Sequence, residues 1–153
     1  MPSKHRVSVE REVAWGESRE GSVVKRWLDV SAYGEKAERV IKSSPYDDFD
    51  FYVFQKNGGP LVWLEVKVRT IDFGVYGDAM FPLRKHTYAE RMWAAHGIPV
   101  IAVTEYACGT LVEVDLRAQP KVTRNVKRHD RPGDKPVPHA LYDKSQMLVL
   151  ESG

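Results

Sequence analysis

The chain has 153 residues, 42% of them apolar and 29% charged, with a formal net charge of +2 and a single cysteine. That length suits one domain with a normal core, and that balance excludes wholesale disorder. A lone cysteine excludes an internal disulfide and a cysteine-rich zinc site, and no stretch reaches the ~20 apolar residues that cross a bilayer.

The N-terminal Met1-Pro2-Ser3-Lys4-His5-Arg6 carries no apolar run, so no secretory signal is expected, and a soluble cytoplasmic protein is the natural reading. From Arg6 to Trp15 the alternation of Val7, Val9, Val13 and Trp15 predicts a short strand or extended arm. Ser22 is a plausible cap for a helix whose face is Val23, Val24, Trp27 and Leu28. A second helix is expected from Ser31 to Ser43, where Ala37, Val40 and Ile41 form a stripe among charges, with Pro45 beyond it.

Two strands follow, Asp50 to Gln55 and Leu61 to Arg69, joined by the turn Lys56-Asn57-Gly58-Gly59-Pro60. Thr70 to Met80, with Gly74 and Gly77, reads as an irregular loop or short hairpin. Pro82 suits a helix start, Tyr88, Ala89, Met92, Trp93 and Ala95 supply the buried face, and Gly97 with Pro99 ends the helix after His96. Ile98 to Tyr106 is apolar enough for a strand covered on both faces. Thr110 to Leu116 pairs with it across Cys108-Gly109, and Met147 to Leu150 is a last short strand. The architecture expected is α/β, a mixed central sheet flanked by helices, in one domain over 1–153. An arm of about 1–21 precedes it and a basic extension of about 117–153 follows.

The chemistry concentrates on one strand. Side chains alternate faces along it, so Val62, Leu64, Val66 and Val68 face one way while Trp63, Glu65 and Lys67 face the other. An acid and a base thus project together from an otherwise apolar strand, a desolvation cost that is tolerable when the charges pair or bind something charged. Pairing through the Gly58-Gly59 turn brings Asp50 near them, with Asp47 and Asp48 as neighbouring alternatives. Two carboxylates and a backbone carbonyl, Val66 being the candidate, form a partly open hard-oxygen site suited to Mg²⁺. Such an ion activates water and stabilises charge on a phosphodiester, and Lys67 fits an electrostatic role beside it. A bare Glu-x-Lys is common on surface strands, so it is the surrounding order of elements that gives it meaning.

Helix, Asp50-Phe51-Tyr52-Val53, Gly-rich turn, Leu64-Glu65-Val66-Lys67, helix, then Gly97-Ile98-Pro99-Val100-Ile101-Ala102-Val103 resembles the PD-(D/E)xK, or restriction-endonuclease-like, superfamily. It is similar to the small phage and archaeal-type junction resolvases and RecB-type nuclease modules. The resemblance covers about Ser31 to Leu116 and implies an αβββαβ core. It implies Asp50 and Glu65 as metal ligands, Lys67 as the third catalytic residue, and an acid on the preceding helix, Glu35 or alternatively Glu38. Related nucleases often carry Gln-x-x-x-Tyr on the next helix. Here Tyr88 matches and Arg84 replaces the glutamine, while Arg84 or Lys85 at a helix start could meet phosphate.

The function these residues imply is a Mg²⁺-dependent DNA endonuclease, with Mn²⁺ able to substitute, acting on branched, replication or repair intermediates. RNA stays open beside DNA, and the branched-DNA version implies a homodimer. Lys121, Arg124, Lys127 and Arg128 become backbone contacts in that reading, whereas composition alone makes them a solvated basic loop. The competing reading is a non-catalytic nucleic-acid-binding or assembly module on the same fold. Cys108 reads as an incidental turn cysteine, and His86, His96, His129 and His139 lack ligand spacing and read as structural or exposed.

Overall fold

The computed structural model of the chain describes residues 8–9, 18–127, 133 and 135–153. Most of the expected Arg6–Trp15 arm, and Arg128, His129 and Arg131, lie outside the described residues. The elements are β1 (Ser8–Val9), α1 (Arg19–Val30), β2 (Ala37–Lys42), β3 (Phe51–Gln55), β4 (Pro60–Val68) and β5 (Asp78–Pro82). After them come α2 (Leu83–His96), β6 (Val100–Glu105), β7 (Leu111–Asp115), β8 (Val122–Val126), β9 (Val137–Asp143), a 3-10 turn (Lys144–Gln146) and β10 (Met147–Glu151).

A mixed seven-stranded sheet runs in the order β1-β2-β3-β4-β6-β7-β10, with β1 parallel to β2, β4 parallel to β6 and the other pairs antiparallel. One face carries α1, whose Val23, Val24 and Trp27 meet Val40, Val53, Val62 and Leu64 in a dry core. The other face carries α2 and a three-stranded antiparallel sheet β5-β9-β8, with Ala89, Phe81, Ala140 and Tyr142 over Val100, Ala102 and Val114. The expected mixed sheet flanked by helices is therefore present, and no helix among the described residues is long and apolar enough to cross a membrane. Burial on both faces explains why β6 is buried at all six positions.

Helix α1 starts earlier than its sequence suggests. Ser18, not Ser22, is the cap, its side chain accepting from the Gly21 N–H at 3.0 Å. At the other helix, Pro82 stands at the N-cap and Gly97 closes the C-terminus in the left-handed region at φ 65°. Without a Cβ, glycine enters that region at little cost. Trp93 and Ala95, expected inside, are exposed, and His86 takes the buried place, its Nδ1 at 2.8 Å from the Leu116 carbonyl.

The expected helix from Ser31 to Ser43 does not form. Residues 31–36 make a turn and 37–42 are β2. The stripe that suggested a helix has a different origin. Ala37 pairs with Gln55 and Arg39 with Phe54, so an extra residue bulges from β2 and both Ala37 and Val40 face the core. A bulged strand thus imitates the three-residue spacing of a helix. The tight turn is possible because Gly34 is pressed against α1: a Cβ there would lie 1.8 Å from the Leu28 carbonyl oxygen.

The stretch after Leu116, expected as a basic extension with a last strand at Met147 to Leu150, supplies that strand as β10 at the edge of the first sheet and also β8 and β9 of the second. Only β10 carries an evident signal. The burial of β8 is slight, its first four residues being exposed, so no apolar alternation marks it.

The two accounts of the Ser31–Ser43 stretch predict opposite signs for one substitution. In a helix, Gly34→Ala would stabilise by about 1 kcal/mol. Against the Leu28 carbonyl it should destabilise, by about 1–3 kcal/mol, since the backbone must shift to admit the methyl. Urea unfolding monitored by tryptophan fluorescence reads the sign directly.

Candidate active site

Strand β4 outruns its neighbour. β3 begins at Phe51, opposite Leu64, so residues 65–68 extend past it on that side. The Asp50 N–H donates to the Leu64 carbonyl at 2.8 Å, and the Asp50 side chain then replaces the missing strand: its Oδ2 accepts from the Val66 N–H at 2.7 Å. In a strand the N–H and C=O of one residue leave the same edge, so the Val66 carbonyl faces this overhang too.

Alternation along β4 holds as expected. Val62, Leu64 and Val66 are buried toward α1, and Glu65 and Lys67 face α2 and β5. Glu65 Oε2 lies 3.2 Å from Lys85 Nζ of α2, and both side chains are largely covered. That pair is off the hydrogen-bond direction, leaving the buried Oε2 without a directed donor. The Lys85 ammonium donates instead to the Asp48 carbonyl and stands over the Phe49 ring. Burial, above all, pushes the Glu65 carboxyl up to about 7; the Asp50 charge and, less, Glu20 push the same way, against Lys85.

Lys67 Nζ donates to the Met80 carbonyl of β5 at 2.6 Å and sits 4.9 Å from the centre of the Phe81 ring. Burial pulls its ammonium down to about 8, the Arg69 charge adding to this and Glu65 opposing it. Asp50, Glu65 and Lys67 thus gather at one end of β4. Of the neighbouring acids, Asp47 accepts from the Ser44 N–H at 2.8 Å, and its charge is one cause, after burial, of the Tyr52 hydroxyl being pushed up to about 12. Asp48 is exposed and offers its backbone carbonyl to Lys85.

The helix acid needs correction. Glu35 lies on the exposed turn before β2, not on a helix. Because β2 starts opposite Gln55 and ends opposite Phe51, Glu35 stands at the far end of β3 from Asp50, at least four residues or about 13 Å away. Glu38, the alternative, is in β2. The helix acid whose charge reaches Asp50 is Glu20 in the first turn of α1, its carboxyl raised by burial and then by the Asp50 charge, with Lys42 opposing. Sequence carried a signal for it: Glu20 precedes Val23, Val24 and Trp27 at helical spacing, an acid set into an apolar stripe.

Among the described residues no three His, Cys, Asp or Glu side chains gather closely enough to hold a metal ion. Asp50, Glu65 and the Val66 carbonyl form an open partial set of hard oxygens, which is the coordination Mg²⁺ takes when it keeps its waters. A buried carboxylate oxygen lacking a directed donor, next to a second carboxylate, fits such a cation.

The other expected contacts are dispersed. Arg84 is exposed at the start of α2, and Tyr88 is half-buried against the second core. Lys121 pairs with Asp143 at 3.7 Å, Arg124 is on β8, and Lys127 is exposed just after it. No family model, curated protein or solved structure matches the chain.

The two shifted groups set a pH dependence of stability in metal-free buffer. Glu65 is raised from 4.5 to about 7, so the folded state holds its proton more tightly and stability falls as pH rises from about 4.5 to 7. Lys67 is lowered from 10.5 to about 8, so the folded state loses its proton first and stability rises from about pH 8 to 10.5. Urea midpoints of the wild type against Glu65→Gln and Lys67→Met should show the first slope reduced in one variant and the second in the other.

Proposed function

We propose that this protein is a Mg²⁺-dependent nuclease that hydrolyses DNA phosphodiesters. The observation carrying this reading is the juxtaposition on the β4 overhang: Asp50 pinned to the Val66 N–H, the buried Glu65 carboxylate, and Lys67 two residues on along the same face. The order α1-β2-β3-β4-α2-β6, with β4 and β6 parallel, supports the αβββαβ core of the PD-(D/E)xK nucleases, with β5 as an addition before α2.

Asp50, Glu65 and the Val66 carbonyl would hold the Mg²⁺, with the charge of Glu20 reaching both carboxylates from α1. Bound there, the ion supplies an activated water and charge neutralisation at the phosphate. The chain's own residues do the rest. Lys67, fixed by the Met80 carbonyl, presents a positive charge to a phosphate oxygen in a largely water-excluded place, where it counts for more than in bulk water. Lys85 balances Glu65 when no other cation does so, which lessens the cost of keeping that carboxylate buried. In this reading Arg84, Lys121 and Lys127, though dispersed over the surface, would contact backbone phosphates, a salt-sensitive contribution that carries no sequence information.

Supercoiled, linear and branched DNA incubated with Mg²⁺ or Mn²⁺ should be cut, and chelator should stop the cutting. Asp50→Ala, Glu65→Gln and Lys67→Ala should each lower the rate about a hundredfold or more. Glu20→Gln should lower it as well, and Glu35→Gln should cut like the wild type. Tight DNA binding without any cleavage would exclude the nuclease and leave a binding module on this fold.

A further inference from the structure

Beside Lys67 the sheet opens into a cavity of about 290 Å³ between the end of β4, the 70–77 loop, β5 and β8. Its charged lining is Lys67, Arg69 and Arg124 against one acid, Asp78. Arg69 lies just past the end of β4, two residues or about 7 Å of extended chain after Lys67, and lines the same cavity. Arg124 reaches the same space from β8. Among the described residues neither guanidinium has an ion-pair or hydrogen-bond partner. Two unneutralised arginines converging on one concavity suit an anion, and their planar donor forks suit a phosphate above others.

The remaining walls are not those of a bare anion site. Tyr76, Phe81 and Tyr106 contribute aromatic surface. The Phe81 ring is already covered by Lys67, and Tyr106 packs edge-on against Phe73 at 5.2 Å between centroids. Tyr76 differs. It is 60% exposed on the loop and has no ring partner among the described residues. A volume near the lower bound of ligand pockets admits a group of roughly one nucleotide's size and no larger one.

We infer that this cavity seats a single unstacked nucleotide of the substrate strand, its phosphate on Arg69 and Arg124 and its base against Tyr76. The inference rests on the nuclease reading for its substrate class, and extends it. Lys67 belongs both to the β4 overhang and to the cavity wall, so the seated nucleotide is next to the one whose phosphodiester faces Asp50 and Glu65. A base held this way must leave its stack. That favours single-stranded or unpaired positions over continuous duplex, because stacking on an aromatic ring is available to every base once it is unpaired.

The test uses binding alone, in chelator, so that it does not depend on cleavage. A short fluorescein-labelled single strand is titrated with the full chain, and one abasic position is walked along the strand. In the wild type, one position should cost about tenfold in affinity when its base is missing. In Tyr76→Ala that position should become indifferent, since the base has lost its partner. Arg69→Gln and Arg124→Gln should weaken every strand several-fold and lower its salt dependence. Tyr76 and Arg124 are exposed, so these two variants should fold as the wild type does, checked by circular dichroism.

A flat abasic scan, or wild-type affinity in all three variants, would overturn the nucleotide seat even if the protein cuts DNA. A position-specific penalty that vanishes in Tyr76→Ala would support the seat even if no cutting is seen, in which case the nuclease reading alone falls.

Discussion

The hydrogen bond from the Val66 N–H to Asp50 Oδ2 is the contact on which the candidate site depends. It exists because β4 continues past the start of β3, leaving a strand edge that needs an acceptor. A backbone carbonyl would have satisfied the Val66 amide and nothing more. A carboxylate satisfies it and also brings a negative charge close enough to be felt by Glu65. A buried amide without a partner costs about 1–3 kcal/mol, so Asp50 is held by the same force that completes the sheet. Position and charge are thereby supplied by one residue.

The cost of this arrangement falls on Glu65. Its carboxyl is raised by burial and by Asp50, and Lys85 offsets only part of that. Stability alone would favour an apolar residue there, on the face that Trp63 turns toward the second core. Lys67 is disfavoured in the opposite sense, its ammonium covered by Phe81 and anchored on the Met80 carbonyl. Two adjacent groups, each pushed toward neutrality, lie on one strand face at a cleft mouth. Physical reasoning connects such pairs with ligands that restore the balance, a cation for one and an anion for the other.

How far the sequence revealed this differs by residue. Glu65 and Lys67 were legible because strand alternation is strict, and Asp50 because it directly enters the β3 strand. Glu20 was hidden by a helix start placed at Ser22 rather than Ser18, although its place in the apolar stripe was visible. Glu35 was misplaced for a deeper reason: the bulge in β2 gave Ala37 and Val40 the spacing of a helix, so the acid was sought on an element that does not exist. Strand β8 was obscured because an exposed antiparallel strand carries little periodic burial, and the pairing of β9 with β5 is a long-range fact.

That long-range pairing is what gives the second sheet its part in the site. β9 holds β5 along its whole length, from Asp78 opposite Asp143 to Pro82 opposite His139. β5 in turn offers the Met80 carbonyl to Lys67 and runs straight into α2, three residues before Lys85. The partners of both Lys67 and Glu65 are thus positioned by a strand that follows β4 in sequence and is clamped by one near the C-terminus. β8 adds Arg124 to the same cleft. The region without readable motifs therefore shapes the candidate site through geometry: it sets where the two lysines stand and walls the cavity beside Lys67.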